Sequence, residues 1–212
     1  MNSLQTRQYL GEFIFNLVAP SDFKQDYTDL MFARALPTGR QMIGVPFFDY
    51  GDNCEASLVM CVRNDDIESI YHLVSNALPQ HQNESWSLIV QLSYFTGQPE
   101  RLSIKHSRDI RVIADMFESI IKSRVIPFLD SVNHVHALDD ALNNPRNRSI
   151  DTSFHPSRGI HGVIAAHLAG RIDYDAMVIH YRQEMEQLGL CVEDIHKYEQ
   201  IVNVLHKKQS NL

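Results

Sequence analysis

The first stretch of the chain carries apolar residues at helical spacing. Five of them recur at i, i+3, i+4, i+7 and i+8 and so share one helix face: Leu10, Phe13, Ile14, Leu17 and Val18. Asn2 and Gln5 suit a capping arrangement ahead of this face, and Pro20 suits a stop after it. The pattern predicts an amphipathic helix over residues 4–18.

Shorter apolar runs then predict strands. They occupy residues 30–36, 42–48, 56–62, 86–95 and 102–104. The fifth run is short, and we expect it to return beside the fourth. Turn-forming residues 49–53 predict a hairpin between the second and third strands. Residues 65–78, preceded by the N-cap candidate Asn64, predict a second helix, so the element order is αβββαββ.

From residue 108 onward the pattern is helical. Its strongest stripe consists of Ile110, Ile113, Ala114, Phe117, Ile120 and Ile121. A break or kink is expected at Pro127, and a shorter helix around Leu138. Three further helices are predicted over residues 160–171, 174–188 and 192–208.

These elements predict an α+β protein with a mainly antiparallel sheet of about five strands, followed by an all-helical C-terminal part. The expected division is a sheet-containing part over residues 1–145 and a helical part over residues 146–212. The two parts form either two domains or one continuous domain.

Composition and charge narrow the class of protein. The chain has 212 residues, of which 44% are hydrophobic and 21% charged, and this is enough apolar material for a core. Its 26 acidic and 19 basic residues give a net charge of -7, which disfavours nucleic acid as a partner. The chain shows neither a spanning segment nor a signal-peptide pattern, and its three cysteines form no CxxC pair. We therefore expect a cytoplasmic protein with no membrane partner.

One histidine cluster has the spacing of a metal site. His134 and His136, followed by Asp139 and Asp140, resemble the HxHxD opening of metallo-β-lactamase-like hydrolases. The residue two positions after His136 is Leu138, where that motif has aspartate, and no matching downstream ligands are visible. The preferred interpretation is no metal and no cofactor. The alternative is an enzyme of the metal-dependent hydrolase kind with a histidine-rich site.

The sequence contains no other recognisable catalytic motif. His155, His161 and His167 are each six residues apart, so each is rotated by about 240° from the last and they do not share a helix face. GxSxG, HExxH, P-loop and GxGxxG motifs are all missing. These observations favour binding over catalysis.

Two polar segments are the candidate binding regions. One is the acidic hairpin and the other is the long stretch 143–159, which is rich in arginine, a residue favoured at interfaces. The candidate partner-binding residues are Asp49, Asp52, Glu55, Arg146, Arg148 and Arg158.

The αβββαββ order over residues 1 to about 126 resembles class I type III secretion chaperones. That resemblance implies a small, acidic, dimeric protein that holds effector segments. Immunity proteins, which cover a toxin's active site, are another acidic class and accommodate the helical C-terminal part more easily. The expected function is thus non-catalytic binding of another protein, a toxin or secreted effector, in a bacterial cytoplasm, with a homodimer left open.

We expect purified protein to carry no stoichiometric transition metal and to show no metal-dependent hydrolysis, because Leu138 replaces the aspartate of the motif. Elemental analysis of the wild-type protein and of the His134→Ala variant checks this expectation. An equivalent of zinc that is present in the wild type and lost in the variant would contradict it.

Overall fold

The computed structural model describes residues 2–26, 30–51, 53–97, 99–144 and 155–209. It confirms the predicted class, since an antiparallel sheet of five strands and a second, small sheet are followed by C-terminal helices. The strands are β1 Lys24–Gln25, β2 Met31–Leu36, β3 Gly39–Gly44, β4 Phe47–Asp49, β5 Cys54–Ala56, β6 Val59–Asn64, β7 Leu88–Gln91 and β8 Leu102–Ile104. The helices are α1 Ser3–Val18, α2 Asp65–Tyr71, α3 Leu92–Thr96, α4 Ser107–Ile120, α5 Ile126–Ser131, α6 Val135–Asn143, α7 His155–Leu168, α8 Tyr174–Gln187 and α9 Val192–Gln209.

The larger sheet has the strand order β1-β2-β3-β6-β7, and the smaller sheet has the order β4-β5-β8. Strands β2 and β3 pair antiparallel, with Phe32 opposite Ile43. Both side chains are fully buried. Burial does not alternate along β3, because the consecutive residues Gln41, Met42, Ile43 and Gly44 are all buried.

Two predicted strands are each divided between the sheets. The run 42–48 contributes to β3 before Pro46 and to β4 after it. Pro46 has no N–H for a strand ladder, but its carbonyl accepts a hydrogen bond from the Ser57 N–H at 2.9 Å. The run 56–62 is divided between β5 and β6 around that serine. The predicted hairpin between the two runs is confirmed as the antiparallel β4–β5 pair.

The prediction for the run 86–95 was partly wrong. Only β7 is extended, and α3 follows it directly with Leu92 and Phe95 buried. A short apolar run has too little periodicity to distinguish a buried strand from a buried helical turn. The expected return of β8 beside this run was also wrong, because β8 pairs with β5 in the smaller sheet.

Helix α2 is shorter than the predicted 65–78. Asn64 is its N-cap as expected, but the helix ends at Tyr71. Leu73 and Leu78 beyond it are 61% and 58% exposed, so the apolar spacing does not continue as a buried face. Helices are stabilised mainly by the surface that covers them, and spacing alone does not show that such a surface exists.

Helix α1 confirms the predicted face and cap. Asn2 Oδ1 accepts a hydrogen bond from the Gln5 N–H at 2.9 Å, and Gln5 Oε1 accepts one from the Asn2 N–H at 3.1 Å. This is a capping box, which satisfies two backbone donors at the helix start. Leu10, Ile14 and Val18 are fully buried beneath it.

Helix α4 buries the first five residues of the predicted stripe, and the sixth, Ile121, is buried in the turn that follows. This π turn covers Ile121–Val125, and α5 then contains Pro127. A proline has no N–H to donate and its ring crowds the carbonyl four residues earlier, which the wider π turn accommodates. The predicted kink at Pro127 therefore takes the form of a π turn.

The chain forms two compact units. The first comprises Met1–Val62 and Ile89–Ser131, and the second comprises Arg63–Leu88 and Val132–Leu212. The sequence did not predict that residues 63–88 group with the C-terminal helices. The predicted division between residues 145 and 146 falls outside the described residues and stays a prediction.

In the second unit, α7 and α8 pack closely as an antiparallel pair. Tyr181 of α8 meets Gly162, while the ring of Tyr174 lies 5.5 Å from that of His167 at the other end of α7. Tyr181 Oη donates a hydrogen bond of 2.6 Å to Asn143 Oδ1, and Asn143 Nδ2 donates one of 2.9 Å to the Gly162 carbonyl. The absence of a side chain at residue 162 makes room for this bonded pair.

Gly162→Ala is expected to destabilise the fold by about 1–3 kcal/mol, since overpacking costs of this size arise when neighbours are held in place. The added Cβ would lie 2.7 Å from Asn143 Oδ1 and 2.8 Å from Tyr181 Oη. Gly159→Ala is the matched control, because the nearest atom there is the mobile Met185 methyl at 2.6 Å. Urea denaturation of both variants measures the difference, and equal effects would contradict the prediction.

Candidate functional site

The predicted acidic hairpin contributes to the outward face of the smaller sheet, on which Phe48 and Glu55 are half-buried. Glu55 lies opposite Phe48 on one side and Ser103 on the other. Its neighbours along β5, Cys54 and Ala56, are buried. Because successive side chains of a strand alternate between faces, Glu55, Phe48 and Ser103 share the outward face.

Asp49 ends β4 and is exposed. Its Oδ1 accepts a hydrogen bond of 2.9 Å from the Gly51 N–H, and Gly51 has a φ of 84°, which favours glycine. Hydrogen bonds from the Ser3 side chain and from the Gly51 backbone lower the pKa of Asp49. Asp52 lies outside the described residues.

Arg101 places a positive charge beside the acidic residues. Its guanidinium carbon lies 4.1 Å from the centroid of the Phe48 ring. Its Nη1 donates a hydrogen bond of 3.2 Å to Tyr50 Oη and lies 3.8 Å from Glu55 Oε2. Tyr50 is 55% exposed. These residues and Asp49 form a mixed surface, which we call the hairpin surface, rather than a purely acidic patch.

The second predicted region differs from its sequence-based description. Arg146 and Arg148 lie outside the described residues. Arg158 belongs to the predicted polar stretch 143–159, but it lies in α7, which begins at His155, and it is buried. Its Nη2 donates a hydrogen bond of 2.9 Å to the Leu142 carbonyl near the end of α6. A proline in the first turn of a helix costs no hydrogen bond, so Pro156 does not mark a loop here.

The histidine cluster around α6 does not converge. His134 is the N-cap of α6, and its Nδ1 accepts a hydrogen bond from the Ala137 N–H at 3.2 Å. The ring of His136 lies 6.1 Å from that of His134. Asp139 is buried and its Oδ2 lies 3.3 Å from Arg171 Nη1.

Asp140, the fourth residue of the histidine cluster, is exposed. Within the part of the chain that the structure describes, no group of three or more histidine, cysteine, aspartate or glutamate side chains is arranged to hold a metal ion.

The second unit contains a buried charge that the sequence analysis missed. The side chain of Glu68 in α2 is fully buried. Its Oε1 accepts a hydrogen bond of 2.6 Å from Ser87 Oγ and lies 3.3 Å from His161 Nε2. Its Oε2 accepts one of 2.5 Å from Ser85 Oγ and lies 3.7 Å from His72 Nε2. We call these five residues the Glu68 network.

The charged form of Glu68 is favoured despite burial. Burial alone would raise its pKa, but contacts from His161, Ser85 and Ser87 outweigh that effect and lower the pKa from 4.5 to about 2. In the sequence, Glu68 falls in the first turn of the helix predicted over residues 65–78 and was not singled out. A usable signal was present, because Glu68, Tyr71, His72 and Ser75 recur at i, i+3, i+4 and i+7 and so predict a polar stripe on one face.

The contact between Ser85 and His72 has the length expected of a serine nucleophile and its base, 2.8 Å from Oγ to Nε2. The positions of the protons are incompatible with that role. The Ser85 hydroxyl donates to the ionised Glu68, which can only accept. His72 Nε2 also faces the Gln82 carbonyl at 3.1 Å, so this nitrogen carries its proton and is a donor. A base needs the lone pair there. The arrangement is a structural hydrogen-bond network.

The Glu68 network joins three segments of the second unit. It links α2 to residues 79–88 through the two serines and to α7 through His161. Arg63 extends it, since its Nη1 donates to the carbonyls of Gln82 and Ser85 at 2.7 and 3.2 Å. Residues 79–88, which have little regular structure, are therefore held in place by side-chain hydrogen bonds.

Comparisons of this chain with protein-family models, with curated proteins and with solved structures found no match. None of the helices within the described ranges has the length and apolar character needed to cross a bilayer.

Glu68→Gln is expected to destabilise the fold by about 3 kcal/mol at neutral pH. This value is at the lower end of the range for removing one partner of a buried ion pair, because the amide keeps some of the hydrogen bonds. The folded pKa of Glu68, about 2, lies below the ordinary 4.5. The stabilisation from the carboxylate is therefore complete above about pH 4.5 and lost as the pH falls towards 2. Urea denaturation of wild type and variant across this range measures it.

Glu118→Gln is the control for this prediction. Glu118 pairs with Lys122 at 2.6 Å on an exposed helix face, and such pairs contribute about 0–0.5 kcal/mol. Equal losses of stability in the two variants would contradict the assignment of a stabilising charge to Glu68. So would a difference between wild type and Glu68→Gln that does not shrink on acidification.

Proposed function

We propose that this chain is a non-catalytic protein-binding protein of a bacterial cytoplasm. Its partner is a toxin that it neutralises as an immunity protein does, or a secreted effector that it holds as a chaperone does. The free state of all three cysteines, two of them buried, is consistent with a reducing compartment.

The observation that carries the proposal is the composition of the hairpin surface. Tyr50 is exposed and is held by Arg101, which also covers the ring of Phe48. Tyrosine and arginine are the residues most often found among the strongest contacts of protein interfaces. Asp49 and Glu55 flank them and supply charges that speed and orient an approaching basic partner. An anchor of this kind with a charged rim is typical of an interface.

The experiment begins with capture of the partner on immobilised wild-type chain, followed by its identification. A captured enzyme whose activity the chain inhibits supports the immunity form, and a captured effector that stays active supports the chaperone form. Rates of association and dissociation are then measured with purified partner for each variant below.

The variant with Asp49, Asp52 and Glu55 changed to lysine is expected to associate with a basic partner roughly tenfold more slowly, with a weaker dependence on salt. Tyr50→Ala is expected to speed dissociation roughly thirtyfold, the effect of losing a contact of about 2 kcal/mol. Circular dichroism and thermal unfolding confirm that each variant is folded.

The charge-swapped variant Glu55→Lys with Arg101→Glu leaves the net charge unchanged, so it separates an effect of net charge from an effect of the guanidinium over Phe48. Arg146→Ala with Arg148→Ala tests the other predicted binding region, and Arg158 is left unchanged because it is buried. A partner that binds both hairpin variants with wild-type rates would refute the role of the hairpin surface.

A further inference from the structure

A second surface of the first unit has a different chemical character. A groove of about 580 Å³ lies along α1 and α4. Its lining combines two arginines with apolar and aromatic side chains, in an otherwise acidic chain of net charge -7. The lining residues are Tyr9, Ser107, Arg108, Ile110, Arg111, Val112 and Asp115.

The two arginines are available to an acidic ligand. The Arg108 side chain is 82% exposed, and its Nε lies 3.7 Å from Asp109 Oδ1. The other oxygen of Asp109 is used locally, because it accepts hydrogen bonds from the backbone N–H groups of Lys105 and His106 at 3.0 and 2.8 Å. Arg111 is exposed, and no carboxylate among the described residues lies within ion-pair distance of it.

The apolar part of the groove is also exposed. Val112 is 67% exposed and Tyr9 is 37% exposed, while Ile110 beneath them is buried. A groove that pairs exposed guanidinium groups with uncovered apolar side chains fits a ligand that carries both carboxylates and an apolar side chain. Arginine binds carboxylates through two parallel hydrogen bonds, which adds geometric specificity.

We infer that this groove docks an acidic peptide segment of a partner protein, with its carboxylates on Arg108 and Arg111 and an apolar side chain against Tyr9 and Val112. The inference rests on the proposed protein-binding function and adds a second contact, of opposite charge to the hairpin. A nucleic acid backbone fits less well, because it offers no apolar side chain to cover Val112, which is 67% exposed.

The test uses a short fluorescein-labelled peptide in which glutamates flank a Leu-Phe pair, and a counterpart with lysines in place of the glutamates. Fluorescence anisotropy with the full chain is expected to show binding of the acidic peptide at least roughly tenfold tighter than of the basic one. Arg108→Ala with Arg111→Ala is expected to weaken it roughly tenfold. Asp115→Asn is expected to act in the opposite direction and to tighten binding.

Lys24→Ala with Lys197→Ala is the control, since it removes two positive charges outside the groove and should leave the affinity unchanged. The hairpin lysine variant should also bind the peptide as wild type does. A failure of this inference is therefore distinct from a failure of the proposed function, which is read from partner capture.

Equal affinity for the two peptides, or the same loss from the control as from the arginine variant, would overturn the inference. Tighter binding of a labelled single-stranded RNA than of the acidic peptide would overturn it as well, because the groove would then prefer phosphates.

Discussion

The second unit depends on the buried carboxylate of Glu68. An ionised group with no access to water is tolerated only when other groups replace the water, and here two serine hydroxyls and His161 do so. Those partners come from segments that are far apart in the sequence. Satisfying one charge therefore determines where α7 and residues 79–88 lie relative to α2. The requirement explains why a stretch with only a short 3-10 helix, Pro79–Glu84, keeps a defined position.

The same hydrogen-bond network also shows how a structural cluster of polar residues differs from a catalytic one. Serine, histidine and glutamate at hydrogen-bond distance are also the components of hydrolytic sites. What distinguishes the two cases is the direction of the protons. Here the Ser85 hydroxyl donates to Glu68, and His72 Nε2 carries a proton, so His72 has no lone pair at this nitrogen with which to take the serine proton. A cluster of catalytic residue types is thus accounted for by the stability of the fold.

The sequence correctly predicted the elements that have strong periodicity. The predictions failed where tertiary contacts determine the secondary structure. The helix faces of α1 and α4 and the hairpin of β4 and β5 are confirmed, since spacing and turn chemistry are local. The early end of α2 depends on which surfaces are covered, and α3 follows a run too short to show a period. Of the candidate site, the sequence predicted the acidic side chains. Arg101, however, is far beyond Glu55 in the chain and reaches it only through the pairing of β8 with β5.

Under the proposed function, that pairing also changes what the hairpin surface can bind. Three isolated carboxylates would attract a basic partner without holding it in one orientation, because exposed charges are screened and hydrated. A guanidinium over Phe48 and against Tyr50 holds two aromatic side chains in place. Such residues lose little conformational freedom when a partner covers them, so more of the contact energy is kept as affinity. The strand that brings Arg101 to the hairpin therefore converts a charge cluster into a surface with a defined shape.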